Sequence, residues 1–380
     1  MRPRPTTIAQ SLARDWSGQY HHSIRTRLTR PLSTTQCRAS RLRARLDIPP
    51  PFPVTKTCPE PSCNCPPTPE MLEGLPIDHE QVLNGTMVGY AQQLIVCTGQ
   101  RDWTSRIEND GKDQGWGDLV RGLKSLMGRG GPYLDPFNNI LVTNSSLKPS
   151  PSTETQSTAS ALLFPSFKYI PSIPTSIAPE PSSTTKTPTT LKTFIRAFLL
   201  PTRLHSTQIS LPQTKHASLL RSPELQSTDF PDTIDILHSP TILICGHGGR
   251  DMRCGIMAPA LETEFQRVLR RVGFASVGSE TEGGVDAPNH ANVGLISHVG
   301  GHKYAGNVIV YIPPKMTLGS SRSGSNETGE VHPLAGKGIW YGRVEPRHVQ
   351  GIVEETVLGG RVVTDHFRGG IDRNGDILRL

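Results

Sequence analysis

Thr241-Ile-Leu-Ile-Cys245-Gly-His-Gly-Gly-Arg250-Asp-Met-Arg-Cys254-Gly255 is the stretch on which the fold turns. Thr241–Cys245 reads as a short apolar strand, and the chain then breaks into a glycine-rich turn. A helix follows. Pro259 suits a first helical position, Leu261, Phe265, Val268, Leu269 and Val272 fall on one face, and Gly273 closes the run. Downstream, Asn292–Ser297 and Asn307–Ile312 read as strands, the second stopped by Pro313-Pro314, with Gly338–Val344 as a third. Pro346 opens a last helix with Val349, Ile352, Val353 and Val357 inward, ended by Gly359-Gly360. This alternation predicts an α/β fold in the thioredoxin-like order, a central sheet flanked by helices.

The N-terminal half reads as a degenerate copy of the same unit. Leu94-Ile-Val-Cys97-Thr-Gly-Gln-Arg101-Asp102 parallels Leu243-Ile-Cys245-Gly-His-Gly-Gly-Arg250-Asp251. After it come a helical Asp118–Met127, strand-like Asn139–Thr143 and Ala161–Phe164, and a final helix over 191–200. The expected organisation is a leader at 1–46, an N-terminal unit at 54–202 with a Ser/Thr/Pro-rich insertion, a linker at 203–236, and a C-terminal domain at 237–380.

Gly and Pro together make 70 of the 380 residues, so much of the chain is loop. No run of about 18 apolar residues exists, which argues against a membrane-spanning helix. The net charge of +7 is unevenly placed. Residues 1–46 hold ten arginines and one acid, Asp15, leaving 30 basic against 32 acidic side chains elsewhere. A near-neutral body lacks the basic patch that nucleic acid requires. The Arg-, Ser- and Thr-rich, acid-poor leader has the composition of a mitochondrial transit peptide.

Seven cysteines at irregular spacing (37, 58, 63, 65, 97, 245 and 254) suggest no closed disulfide framework. Two pairs carry the chemistry. Cys245 and Cys254 are separated by eight residues in a loop containing Gly246, Gly248 and Gly249. His298 and His302 are separated by three, with Gly300 and Gly301 inside. Each pair follows a predicted strand, and glycines let the backbone close around a metal centre. Two thiolates and two imidazoles suit either zinc or an iron–sulfur cluster. His247 and His290 are substitute ligands of lower rank. Cys58, Cys63 and Cys65, set between prolines, are candidate redox-active or metal-binding thiols.

The spacing Cys-x8-Cys followed by a second pair three residues apart is similar to that of thioredoxin-like 2Fe–2S ferredoxins, with His-x3-His standing where those have cysteines. Residues 245–255, 297–307 (Ser-His-Val-Gly-Gly-His-Lys-Tyr-Ala-Gly-Asn) and 339–344 (Ile-Trp-Tyr-Gly-Arg-Val) resemble the sucrase/ferredoxin-like family. Within it they are similar to the fungal group associated with altered inheritance of mitochondria, and the likeness extends to Cys58–Asp102. The resemblance implies a 2Fe–2S cluster, with Cys245 and Cys254 on one iron and His298 and His302 on the other.

The resulting expectation is a mitochondrial electron-transfer or thiol-redox-sensing protein, in matrix or intermembrane space. It has an unidentified redox partner protein, and pairs as a homodimer. No nucleophile–base pair or spaced carboxylate pair can be named for catalysis, glycoside hydrolysis included. The rival expectations are a dithiol oxidoreductase acting on protein thiols through Cys58, Cys63 and Cys65, and a zinc-stabilised interaction module.

Overall fold

The computed structural model describes residues 49–62, 64–151, 157–178, 189–208, 210–278, 284–318 and 329–380. The expected leader at 1–46 and Cys63 lie outside them.

In chain order, β1 (Val54–Thr55) precedes β2 (Gln92–Cys97), α1 (Gly115–Met127), β3 (Ile140–Ser145), β4 (Thr158–Phe164) and β5 (Lys168–Pro174). Next comes α2 (Leu191–Phe194), which runs on as a wider turn over Ile195–Leu199. The predicted linker carries α3 (Gln213–Ser218), α4 (Glu224–Asp229) and β6 (Ile234–Asp235). Then follow β7 (Thr241–Cys245), α5 (Met252–Arg271), β8 (Ser276–Val277), β9 (His290–Ile296), β10 (Val308–Ile312) and β11 (Lys337–Tyr341). The chain closes with α6 (Pro346–Ile352, continued by a wider turn over Val353–Leu358), β12 (Val362–Val363), β13 (Phe367–Ile371) and β14 (Ile377–Leu378). The class is α/β. Among the described residues no helix is long and apolar enough to cross a membrane.

Residues 49–380 form one unit, built on a twelve-stranded sheet in the order β14-β13-β11-β10-β7-β9-β3-β2-β4-β5-β6, with β8 on β9. A repeated pattern lies inside that order. In the C-terminal half β7 is parallel to β9 and antiparallel to β10, which is antiparallel to β11. In the N-terminal half β2 is parallel to β3 and antiparallel to β4, which is antiparallel to β5. A helix follows the first strand of each set (α5, α1) and another follows the last (α6, α2). The halves join where the tips of β3 and β9 pair, Ser145 against Ile296.

Strands β2, β7, β9 and β10 are buried end to end because helices or core cover both faces. Thr241–Cys245 is buried at every position, the pattern of a strand with no solvent side. Helix α5 lays Met257, Leu261, Phe265 and Val268 against Ile242, Ile244, Val293 and Leu295. Phe265 is fully buried there, so Phe265→Ala should cost about 3–5 kcal/mol, read as a lowered midpoint in denaturant unfolding.

One expectation fails here. Pro259 does not open α5 but lies inside it, because Asp251 caps the helix, its side chain accepting from Arg253 N–H. Gly255 carries the carbonyl four residues back that the proline ring crowds. It also lies against Gly248, whose Cα would be 2.7 Å from any Cβ added at Gly255. The earlier start brings Cys254 into the first helical turn.

Candidate metal centre

The parallel register sets Cys245 opposite Ile296, so His298, two residues on, leaves the sheet at the same edge as Cys245. Ligands of open α/β sheets gather at such carboxyl ends of strands. Backbone bonds hold the edge together: Cys245 N–H donates to Asn307 O (2.9 Å) and Gly246 N–H to Ile296 O (3.0 Å).

Cys245 and Cys254 are buried at this edge. The Cys254 thiol, followed by the His298 ring, holds Cys245 well below the ordinary thiol value despite its burial. The same hydrogen bond and burial push Cys254 up. Of the pair, Cys245 is the one whose ionised form is favoured, and a metal that displaces the shared proton would make both sulfurs ligands.

The His298 and His302 rings lie 5.3 Å apart. Both Nδ1 atoms are buried without a hydrogen-bond partner. Leaving such an atom unpaired costs about 1–3 kcal/mol, and a native site that tolerates it twice in one loop calls for a bound group to satisfy it. On its other side the His302 ring faces Asp251, Nε2 to Oδ2 3.8 Å, as metal-bound histidines commonly face a carboxylate. Burial outweighs Asp251 and lowers the His302 pKa, which favours the neutral, ligating imidazole. The donors thus fit the expected group: a soft sulfur pair beside two free imidazole nitrogens. Among the described residues no three His, Cys, Asp or Glu side chains converge closely enough to hold one ion.

The substitute ligands have other work. His247 lies with Nε2 3.1 Å from Trp103 O and 2.8 Å from Thr104 O, while Nδ1 accepts from His298 N–H (2.9 Å). Both ring nitrogens are used, so His247 braces the histidine loop against the N-terminal half. His290 begins β9, the far end of the strand from His298; its Nε2 pairs with Asn292 Oδ1 (2.9 Å), while its Nδ1 is buried without a partner as well, away from the cysteine pair.

Several neighbours had no role at the site in the sequence reading. Asp102, beyond β2, accepts Gly249 N–H at 3.1 Å from each carboxylate oxygen, and Arg101 pairs with Glu262 of α5. The loop after the first strand of one half thus clamps the cysteine loop of the other. Arg368 lies under the histidine loop, 1% exposed, with burial lowering it to about 10. A lone arginine in the apolar run Phe367-Arg-Gly-Gly-Ile371 was the available signal.

Cys58 is remote from this centre in its contacts. It is buried against α6, donates to His348 O (3.4 Å), and would meet a Cβ at Gly351 at 2.5 Å. Burial, then nearby carboxylates led by Glu355, push its thiol up to about 12, the opposite of an activated nucleophile. Cys65 is a partly exposed free thiol. In the N-terminal half Cys97 ends β2 as Cys245 ends β7, but by register Leu147 and Pro151 occupy the places of His298 and His302.

A family model described as sucrase/ferredoxin-like matches residues 83–369. A Debaryomyces hansenii protein named altered inheritance of mitochondria protein 32 is 29% identical over 322 residues, 83% of this chain and 95% of its own length. The protein of the same name from Meyerozyma guilliermondii is 35% identical over 182 residues, 48% of this chain and 51% of its own length. Actin patches distal protein 1 of Saccharomyces cerevisiae is 34% identical over 119 residues, 31% of this chain and 29% of its own length. No solved structure matches the chain.

Proposed function

Since the chain belongs to the sucrase/ferredoxin-like family, we propose that it is a redox protein holding a 2Fe–2S cluster through Cys245, Cys254, His298 and His302. The observation that carries the reading is the pair of buried, unpartnered Nδ1 atoms of His298 and His302 beside a cysteine pair poised to ionise. Two thiolates and two imidazoles suit either group, and the ferredoxin-like family is what favours two irons over one zinc. When bound, the cluster supplies one-electron chemistry at a potential raised by its neutral imidazoles.

The protein's own groups do the rest. His247 ties the histidine loop to the cysteine loop, and Asp102 holds the cysteine loop to the N-terminal half. The His302 side chain, 43% exposed, is the edge nearest solvent and so the side where a redox partner protein would approach. The strand order of each half supports a thioredoxin-like unit used twice, with the N-terminal copy kept as scaffold.

The test is optical and analytical. Protein purified without air should be red-brown, with iron and acid-labile sulfide each near about two per chain. A colourless protein with stoichiometric zinc would transfer the site to the interaction-module reading.

The names of the fungal relatives and the +9 charge of residues 1–46 support mitochondrial association. A reporter fused to that segment should enter mitochondria; a reporter left in the cytosol while the full chain reaches the organelle would place the signal elsewhere.

A further inference from the structure

We infer that Arg368 is the built-in counter-charge of this centre: it favours the reduced state through its positive charge without ligating metal. The inference rests on the cluster reading above.

Arg368 is the second residue of β13 and among the largest fully buried side chains of the described residues. A buried charge normally has an opposite charge beside it, because desolvation costs more than neutral hydrogen bonds return. Among the described residues no carboxylate pairs with Arg368. Its guanidinium donates to four neutral acceptors: Thr86 Oγ1 (3.1 Å), Thr86 O (2.8 Å), Gly300 O (3.1 Å) and Asn307 Oδ1 (2.8 Å). It also lies over the rings of Tyr304 (5.3 Å) and Trp340 (5.8 Å).

What lies against the unpaired guanidinium is the site itself. Gly301, between the two histidines, holds φ +75, and a Cβ there would stand 2.5 Å from Arg368 Nη2, so the ligand loop runs directly over the guanidinium. Asn307 ties the same elements together: its side chain accepts from Arg368 and donates to Gly301 O (3.0 Å), while its carbonyl accepts Cys245 N–H. The sulfurs of Cys245 and Cys254 lie within range of the Arg368 charge.

Charge arithmetic sets the sign. With two thiolates and two neutral imidazoles, the oxidised centre is electrically neutral, and one added electron leaves a single net negative charge. The guanidinium has nothing to neutralise before reduction and one charge afterwards. It therefore stabilises the reduced form and raises the potential, in a low-dielectric setting where salt screens poorly.

The experiment measures midpoint potentials of the cluster-loaded full chain as wild type, Arg368→Gln, Arg368→Lys and Thr86→Val. Arg368→Gln should shift the reduced-to-oxidised ratio at least tenfold toward oxidised, a drop of about 59 mV or more for one electron. Arg368→Lys, which keeps the charge and loses the fork, should stay near wild type. So should Thr86→Val, which removes one of the guanidinium's hydrogen bonds and the one Thr86 donates to Leu83 O, but no charge. Should Arg368→Gln load poorly, the decay of visible absorption in each redox state serves instead: its reduced form should bleach faster than its oxidised form, with no such asymmetry in Arg368→Lys. A loaded Arg368→Gln at the wild-type potential, or Arg368→Lys falling as far as Arg368→Gln, would show the arginine to be a packing group only. A wild-type chain that loads no cluster removes the earlier reading as well, and is told apart by its missing colour.

Discussion

Cys254→Ser should leave the protein colourless and iron-free. The thiolate is a soft ligand that a hydroxyl replaces poorly, and Cys254 is the residue whose thiol, by donating to Cys245, favours ionisation of its neighbour. The substitution thus removes one ligand and weakens the other. Cys245→Ser should do the same from the strand side. The fold should survive both, since serine has the shape of cysteine in a smaller volume and the apolar face that α5 lays on β7 and β9 belongs to a cluster containing neither residue. The measurement is visible absorption and iron content, with far-ultraviolet circular dichroism as the control for folding. Full absorption and full iron in either folded variant would sink the ligand assignment.

His298→Cys or His302→Cys should keep a cluster and change its potential strongly. Each restores part of the all-thiolate set at the spacing that ferredoxins use, so assembly is expected. A thiolate in place of a neutral imidazole adds negative charge to the centre and disfavours the incoming electron. The span between Rieske-type and plant-type centres puts the drop on the order of a few hundred millivolts. In the wild type the imidazole proton is held more tightly in the reduced state, so the potential should fall as pH rises through about 6 to 9. That slope should flatten in the cysteine variants. Redox titrations at several pH values decide the matter. Variants that titrate at the wild-type potential, or a wild type flat in pH, mean that these rings are not ligands.

The two predictions differ in what they ask of the chain. The first asks whether sulfur is needed at a buried position; the second asks what the imidazoles contribute beyond holding on. The Arg368 experiment adds a third lever, charge without ligation, and the three together separate binding from tuning.

Sequence alone determined a good deal about this protein. The continuous apolar run Thr241–Cys245, the helical face through Leu261, Phe265 and Val268, and the glycines around each ligand pair define the α/β class and the four candidate donors, because local hydrophobic period and turn chemistry are written in neighbouring residues. The parallel between Leu94–Asp102 and Leu243–Asp251 likewise announced the repeated strand order now seen on both sides of the β3–β9 seam. What only the tertiary structure decided depends on residues far apart in the chain. Asp102 clamping Gly249, His247 spent as a brace, Thr86 and Gly300 holding Arg368, and Cys58 sealed against Gly351 are all contacts across the fold. Even the start of α5 was misread, because Pro259 is a strong local signal and the Asp251 cap that overrides it is legible only once Arg253 N–H is seen to bond it. The physical reason is the same in each case. A side chain's type limits what chemistry it can do, but burial, the partner on the opposite strand and the loop from the other half decide which of those chemistries it is left free to perform.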